Sequence, residues 1–244
     1  MLESAKVVGS LVKMEFVGQK TRKEYGYGNK KHGVRESREK IHELMQILTK
    51  NMIKGAGLEL IVKGKENLPK TGPTLYVATH KSIFDIVILN SLIDDPCIYI
   101  GKKEVSKMPI IHKWFDALGC IYIDREDKRQ SLACILQGIN ELKSGQSIVL
   151  FPEGTRTAGD EIKPFKEGSF KLATKTGVPI VPIALRNTHK IYEESKLIKR
   201  AKVTVNIGEM IQTSTLTLEQ QKALPKMTED IVRGLMQDII NEEG

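Results

Sequence analysis

The chain has 244 residues, 40% of them hydrophobic and 28% charged, with a formal net charge of +8. That length accommodates one large domain, or a domain with an accessory segment, around a sizeable core. The hydrophobic content excludes a disordered chain, and no Gly/Pro/Ser bias indicates a fibre.

The charge is unevenly spread. Residues 1–70 hold 15 Lys/Arg and 8 Asp/Glu, a net of +7, whereas residues 71–244 hold 23 and 22, a net of +1. A basic arm in front of a nearly neutral domain suits an anionic surface, either a membrane or a nucleic acid. The longest run without Asp, Glu, Lys or Arg is 11 residues, Gln130 to Asn140. A spanning helix needs about 20 mostly apolar residues, so no transmembrane span is expected. Charges at Glu3, Lys6, Lys13 and Glu15 break the first residues, so a secretory signal is not expected either. Cys97, Cys120 and Cys134 are odd in number and lack C-x-x-C spacing, which reads as buried reduced thiols in a cytosolic setting. The histidines are scattered, so no metal site is expected.

In chain order, the first apolar piece, about Leu2 to Val17, is compatible with helix or strand. A polar stretch from Gln19 to Gly33 follows. Ile41, Leu44, Met45, Leu48 and Met52 then recur at helical spacing until Gly55 and Gly57. From Leu58, strand-like runs alternate with helical ones. The strands expected are Leu58–Val62, Thr74–Thr79, Cys97–Ile100, Cys120–Ile123, Ser147–Phe151, Pro179–Leu185 and Lys202–Ile207. Helices are expected over Phe84–Leu92, Lys103–Leu118, Lys128–Lys143, Pro164–Lys175 and about Leu218–Asn241, with a break at Pro225 as an option. The pattern predicts an α/β fold, a mostly parallel central sheet of about seven strands flanked by helices, with an N-terminal helical arm over 1–57 and the α/β domain over 58–244.

In such sheets ligands collect where strands end. The second strand ends in His80-Lys81-Ser82-Ile83-Phe84-Asp85. A carboxylate five residues after a histidine, across a strand-to-helix turn, can accept from one imidazole nitrogen and leave the other as a base. The competing reading is a helix cap with a structural histidine. No G-x-S-x-G serine accompanies the pair, so the proton donor would be a hydroxyl of the substrate. The fifth strand runs into Pro152-Glu153-Gly154-Thr155-Arg156, a tight turn with a hydroxyl and an anion-binding fork; alone it reads better as a solvated loop tip, but on a parallel neighbour of the His80 strand it brings an anion clamp beside the base. Lys102 and Lys103 follow the third strand and Arg125 the fourth. Together these residues place one base and several cations at successive strand ends.

Four blocks in this order resemble those of the glycerolipid acyltransferase family: His80 to Asp85, Gly119 to Arg125, Phe151 to Arg156, and Val178 to Ile183. The similarity covers roughly residues 58–210, with the His80 and Phe151 blocks jointly specific. The nearest branch looks like the bacterial enzymes that acylate 1-acyl-sn-glycerol 3-phosphate. Thr79 stands where the family commonly has Asn.

The resemblance implies acyl transfer from a thioester of acyl-carrier protein or coenzyme A to the 2-hydroxyl of lysophosphatidate, giving phosphatidic acid. His80 would be the general base and Asp85 its support. The acceptor phosphate would go to Arg156, with Lys102, Lys103 or Arg125 as helpers, in a pocket shaped by Glu153, Gly154 and Thr155. No metal and no cofactor beyond the co-substrate is called for. A glycerolipid substrate also implies a peripheral position on the cytoplasmic face of a membrane. The basic arm and its Ile41–Met52 stripe would then meet anionic lipid, unless the stripe packs on the domain. Two rival readings are an acyltransferase for glycerol 3-phosphate or another lysophospholipid, and a non-catalytic module on membrane or nucleic acid. Tyr25 and Tyr27 alone offer little stacking surface for the latter, so no nucleic-acid partner is expected.

Overall fold

The computed structural model of the protein describes residues 2–244, with Met14 described in its backbone only. Seven strands form one sheet: β1 Glu59–Lys63, β2 Leu75–Ala78, β3 Cys97–Lys102, β4 Ile121–Ile123, β5 Ser147–Leu150, β6 Ile180–Arg186 and β7 Lys202–Ile207. Their order is β1-β7-β6-β2-β5-β3-β4. Every neighbouring pair is parallel except β6 and β7. All four residues of β2 and of β5 are buried, as is β6 up to Leu185, because helices cover both faces of the sheet. That coverage explains why the strands read as continuous apolar runs rather than alternating ones.

The helices are α1 Leu2–Tyr25, α2 Val34–Ala56, α3 Phe84–Leu92, α4 Ile111–Leu118, α5 Lys128–Lys143, α6 Lys171–Thr174, α7 His189–Tyr192 and α8 Leu218–Glu243. Three differ from expectation. The helix expected over Lys103–Leu118 is split into a 3-10 turn at Lys103–Lys107 and α4. Pro109 disfavours helix at Met108, and Ile110 takes a positive φ of 70°. The segment Pro164–Lys175 is a 3-10 turn followed by the single turn α6. Pro225 does not break α8, which runs on beneath a capping box at Thr217 and Gln220.

The ambiguous first segment is helix and continues through Tyr25. It packs along α2 and on α4, where Gly18 leaves room for Trp114: a Cβ there would fall 2.3 Å from the indole. Arg22 lies over the same ring, 4.6 Å from its centroid. In α2, Ile41, Met45, Leu48 and Met52 are buried, and the helix packs on α3 and α4. The apolar stripe of α2 is therefore turned to the core, and the option that it faces lipid is corrected. Exposed apolar side chains lie on α1 instead: Val8, Val12 and Phe16, four residues apart, with Phe16 at 74% exposure. No described helix is long and apolar enough to cross a membrane.

Candidate active site

Strand β2 lies between β5 and β6, so the turn after Ala78 is bordered by the ends of both parallel neighbours. In that turn His80 Nδ1 lies 2.8 Å from Asp85 Oδ2. The same oxygen accepts from the backbone N–H of Lys81 at 2.7 Å and of Ser82 at 2.8 Å, and Oδ1 accepts from the Thr188 hydroxyl at 2.6 Å. Asp85 is fully buried. An ionised carboxylate only accepts, so Nδ1 carries the proton and Nε2 keeps its lone pair. The His80 ring stacks on Phe151, centroids 4.1 Å apart, which fixes its plane. Ser82 serves the turn: its Oγ accepts from Phe84 N at the start of α3. Thr79 serves neither turn nor dyad, because its hydroxyl bridges to the backbone of Leu185 on β6.

The loop after β5 braces this turn. Glu153 is buried; its Oε1 accepts from His80 N at 2.9 Å, and its Oε2 from Lys163 N and the Thr157 hydroxyl. Thr157 N in turn donates to His80 O. Glu153 therefore does not line the pocket, as its assignment there requires, but holds the backbone of the histidine from behind. Gly154 turns the chain at φ 74°, and a Cβ there would meet the Lys166 side chain at 2.8 Å. Lys81 is buried with its ammonium on the carbonyl of Glu161. Burial pushes that ammonium below the usual lysine value, while Glu153, Asp85 and two further carboxylates oppose the shift.

A cavity of about 570 Å³ opens beside His80, lined also by Lys102, Arg125, Gly154, Thr155 and Arg156. These come from the ends of β3, β4 and β5, so the cations fan out along the sheet away from the base. They differ in how free they are. Lys102 lies 3.0 Å from Glu104 and Arg156 3.3 Å from Glu193. Arg125 is half-buried and has no ion pair among the described residues; burial pushes its guanidinium below the usual value, with Glu104 opposing. Lys103 pairs with Asp124 and does not reach the cavity, which corrects its place among the phosphate-holding candidates.

Six residues of this cavity, Ile83, Ile86, Tyr99, Met108, Ile111 and Phe115, also line a second, almost wholly apolar one of about 350 Å³. Its far wall includes Val7 and Leu11 of α1, Met45 and Met52 of α2, and Tyr192 and Ile198. The cavity that holds the base and the cations thus adjoins an apolar one, and the two share a wall.

Sequence reasoning did not single out Thr188, Glu193 or the ring partner Phe151. The two polar residues flank α7, a four-residue helix too short to carry a periodicity.

A histidine–carboxylate pair at a parallel strand end, beside cations and an apolar chamber, is chemically suited to base-assisted group transfer onto an amphipathic anionic substrate. Residues 59–186 match the model of the acyltransferase family. The 1-acyl-sn-glycerol-3-phosphate acyltransferase of Borreliella burgdorferi is 28% identical over 176 residues, 72% of this chain and 70% of that protein. The enzyme of the same name from Saccharomyces cerevisiae is 32% identical over 193 residues, 77% of this chain and 62% of that protein. The crystal structure of the 1-acyl-sn-glycerophosphate acyltransferase PlsC from Thermotoga maritima superposes with a TM-score of 0.81, at 22% identity and over 98% of this chain and 95% of that one. The chain belongs to the acyltransferase family.

Proposed function

We propose that the protein transfers a fatty acyl group from an acyl thioester to the 2-hydroxyl of 1-acyl-sn-glycerol 3-phosphate, forming phosphatidic acid. The observation that carries this reading is the adjacency of the two cavities, which share a wall of six residues: a base and cations line one, and the other is almost wholly apolar. His80 Nε2 takes the proton of the hydroxyl as its oxygen attacks the thioester carbonyl. Asp85 stabilises the imidazolium, and the proton then passes to the departing thiolate of coenzyme A or acyl-carrier protein. General-base assistance contributes about 10²–10⁴ in rate; positioning and stabilisation of the oxyanion supply the rest. Arg125 and Arg156 hold the acceptor phosphate, with Lys102 at the rim, and the apolar chamber takes an acyl chain. The names of the Borreliella burgdorferi and Saccharomyces cerevisiae relatives support this acceptor.

The protein docks on an anionic membrane through α1. Val8, Val12 and Phe16 form its exposed apolar stripe, and Lys6, Lys13 and Lys20, each exposed and seven apart, flank it. Each lysine near such a surface adds about 1 kcal/mol. Val12→Asp with Phe16→Asp should abolish co-flotation with anionic vesicles while thermal unfolding stays cooperative; undiminished flotation would show that α1 is not the docking face.

The deciding experiment is an acyl-transfer assay of the purified protein with lysophosphatidate, glycerol 3-phosphate and other lysophospholipids, each with both thioester carriers. Lysophosphatidate is expected to be the preferred acceptor, and His80→Ala inactive. Turnover by His80→Ala would refute the general-base role, and preference for another acceptor would refute the substrate.

A further inference from the structure

The short segment that follows β6 touches the candidate site at two points. Thr188 is fully buried, and its hydroxyl is the one side chain that reaches Asp85 Oδ1, at 2.6 Å. The other carboxylate oxygen is already held by His80 Nδ1 and two backbone N–H groups. Both oxygens must be engaged to stop the carboxylate rotating, so Thr188 completes its fixation. Five residues on, Glu193 Oε2 accepts from the Ser82 hydroxyl at 2.6 Å, and Oε1 accepts from Ile83 N at 2.8 Å. The same Oε1 lies 3.3 Å from Arg156 Nη1. Glu193 thus ties the start of α3 to an arginine of the cavity.

The chemistry of the two contacts argues against a purely structural tie. A neutral amide has one acceptor oxygen for the two donors, Ile83 N–H and the Ser82 hydroxyl, whereas the carboxylate takes both and also presents its charge to Arg156. A valine would fill the space of Thr188 without its hydroxyl, which is aimed at the one carboxylate oxygen that the turn leaves open.

We propose that Thr188 and Glu193 are positioning residues of this site: Thr188 orients Asp85 against His80, and Glu193 aims Arg156 at the acceptor phosphate across from the turn. The proposal rests on the acyl-transfer reading and extends it to a segment beyond the residues 59–186 that match the family.

The test compares Thr188→Val, Thr188→Ala, Thr188→Ser and Glu193→Gln in the full chain, by steady-state kinetics with lysophosphatidate and an acyl thioester across pH. Loss of a hydrogen bond to a buried charged group should lower kcat on the order of tenfold or more in Thr188→Val. The loss should fall on kcat rather than on either KM. The pH profile of kcat should change as well, because the Asp85 charge facing the imidazole is then shared with one donor fewer. Thr188→Ser should restore both. Glu193→Gln should raise the acceptor KM severalfold, more than it lowers kcat. Wild-type kcat and pH profile in Thr188→Val, or a loss that serine does not rescue, overturns the part given to Thr188. If Thr188→Val does not fold, Thr188→Ala is read by the same criteria. An unchanged or lowered acceptor KM in Glu193→Gln overturns the part given to Glu193. His80→Ala, assayed in parallel, separates these outcomes from failure of the general-base reading, since only that failure leaves His80→Ala active.

Discussion

The turn that holds His80 and the rim of cations around the cavity are built in opposite ways. Within the turn, both Asp85 oxygens and both Glu153 oxygens have donors, and the imidazole is fixed by a hydrogen bond on one side and a stacked ring on another. At the rim, the Lys102 and Arg156 side chains are about half exposed, at 53% and 45%, and each is paired with one carboxylate, Glu104 and Glu193 respectively. Under the acyl-transfer reading, the difference follows from the work of each region. A proton transfer gains from a geometry set before the substrate arrives, since nothing then has to reorganise during the reaction. An anion that enters from a membrane or from solvent gains from side chains that can close around it, and screened surface pairs cost little to exchange.

The sharpest way to break this contrast is Asp85→Asn, which keeps the shape of the turn but presents an amide to Nδ1. The expected result is a fall in kcat of about 10³–10⁴ with little change in KM, because a neutral amide does not support the imidazolium; a tenfold fall would mean that the turn is less strictly organised than its hydrogen bonds indicate. Glu153→Ala should come next. It strips acceptors from His80 N and Lys163 N, and leaving buried donors unmatched costs about 1–3 kcal/mol each. Both the unfolding midpoint and kcat should drop, and a variant with native stability would show that the brace is dispensable.

Rim substitutions should act on binding. Arg125→Ala should raise the acceptor KM by about 10- to 100-fold, the range of a hydrogen bond between charged groups, and far more than it lowers kcat. Lys103→Ala, outside the cavity and paired with Asp124, should leave kinetics within about twofold, as surface pairs generally do. Equal effects of these two variants would erase the distinction between the half-buried arginine and the solvated lysine.

Much of this organisation is legible in the sequence. All seven strands lie within two residues of their expected bounds, and α3 and α5 match theirs, because burial on both faces and helical spacing leave clear marks. The pairing of His80 with Asp85 follows from five-residue spacing across a turn, and β5 is the parallel neighbour that its loop chemistry called for. What escaped has physical causes. A buried bracing carboxylate such as Glu153 looks the same in sequence as a pocket carboxylate, since only the fold decides which way it turns. Lys102 and Lys103 are adjacent and alike, yet one faces the cavity and the other Asp124. Thr188 and Glu193 lie far along the chain from their partners, Asp85 for the first and Ser82 and Ile83 for the second, and meet them only because β6 borders β2. The stripe on α2 gave its helix away but not its side, because a core and a lipid bilayer select the same residues.

The family match begins at Glu59 and ends at Arg186, whereas the far wall of the apolar chamber is made by residues on either side of it, Val7, Leu11, Met45 and Met52 before and Tyr192 and Ile198 after. Under the acyl-transfer reading, the catalytic turn and the far wall of the chamber are inherited in separate stretches of polypeptide, while the near wall, with Ile83, Ile86 and Phe115, belongs to the first. A lineage that meets a new fatty-acid supply can change the second by point mutation and leave the first untouched. Divergence among relatives should accordingly gather in the helices that roof the chamber.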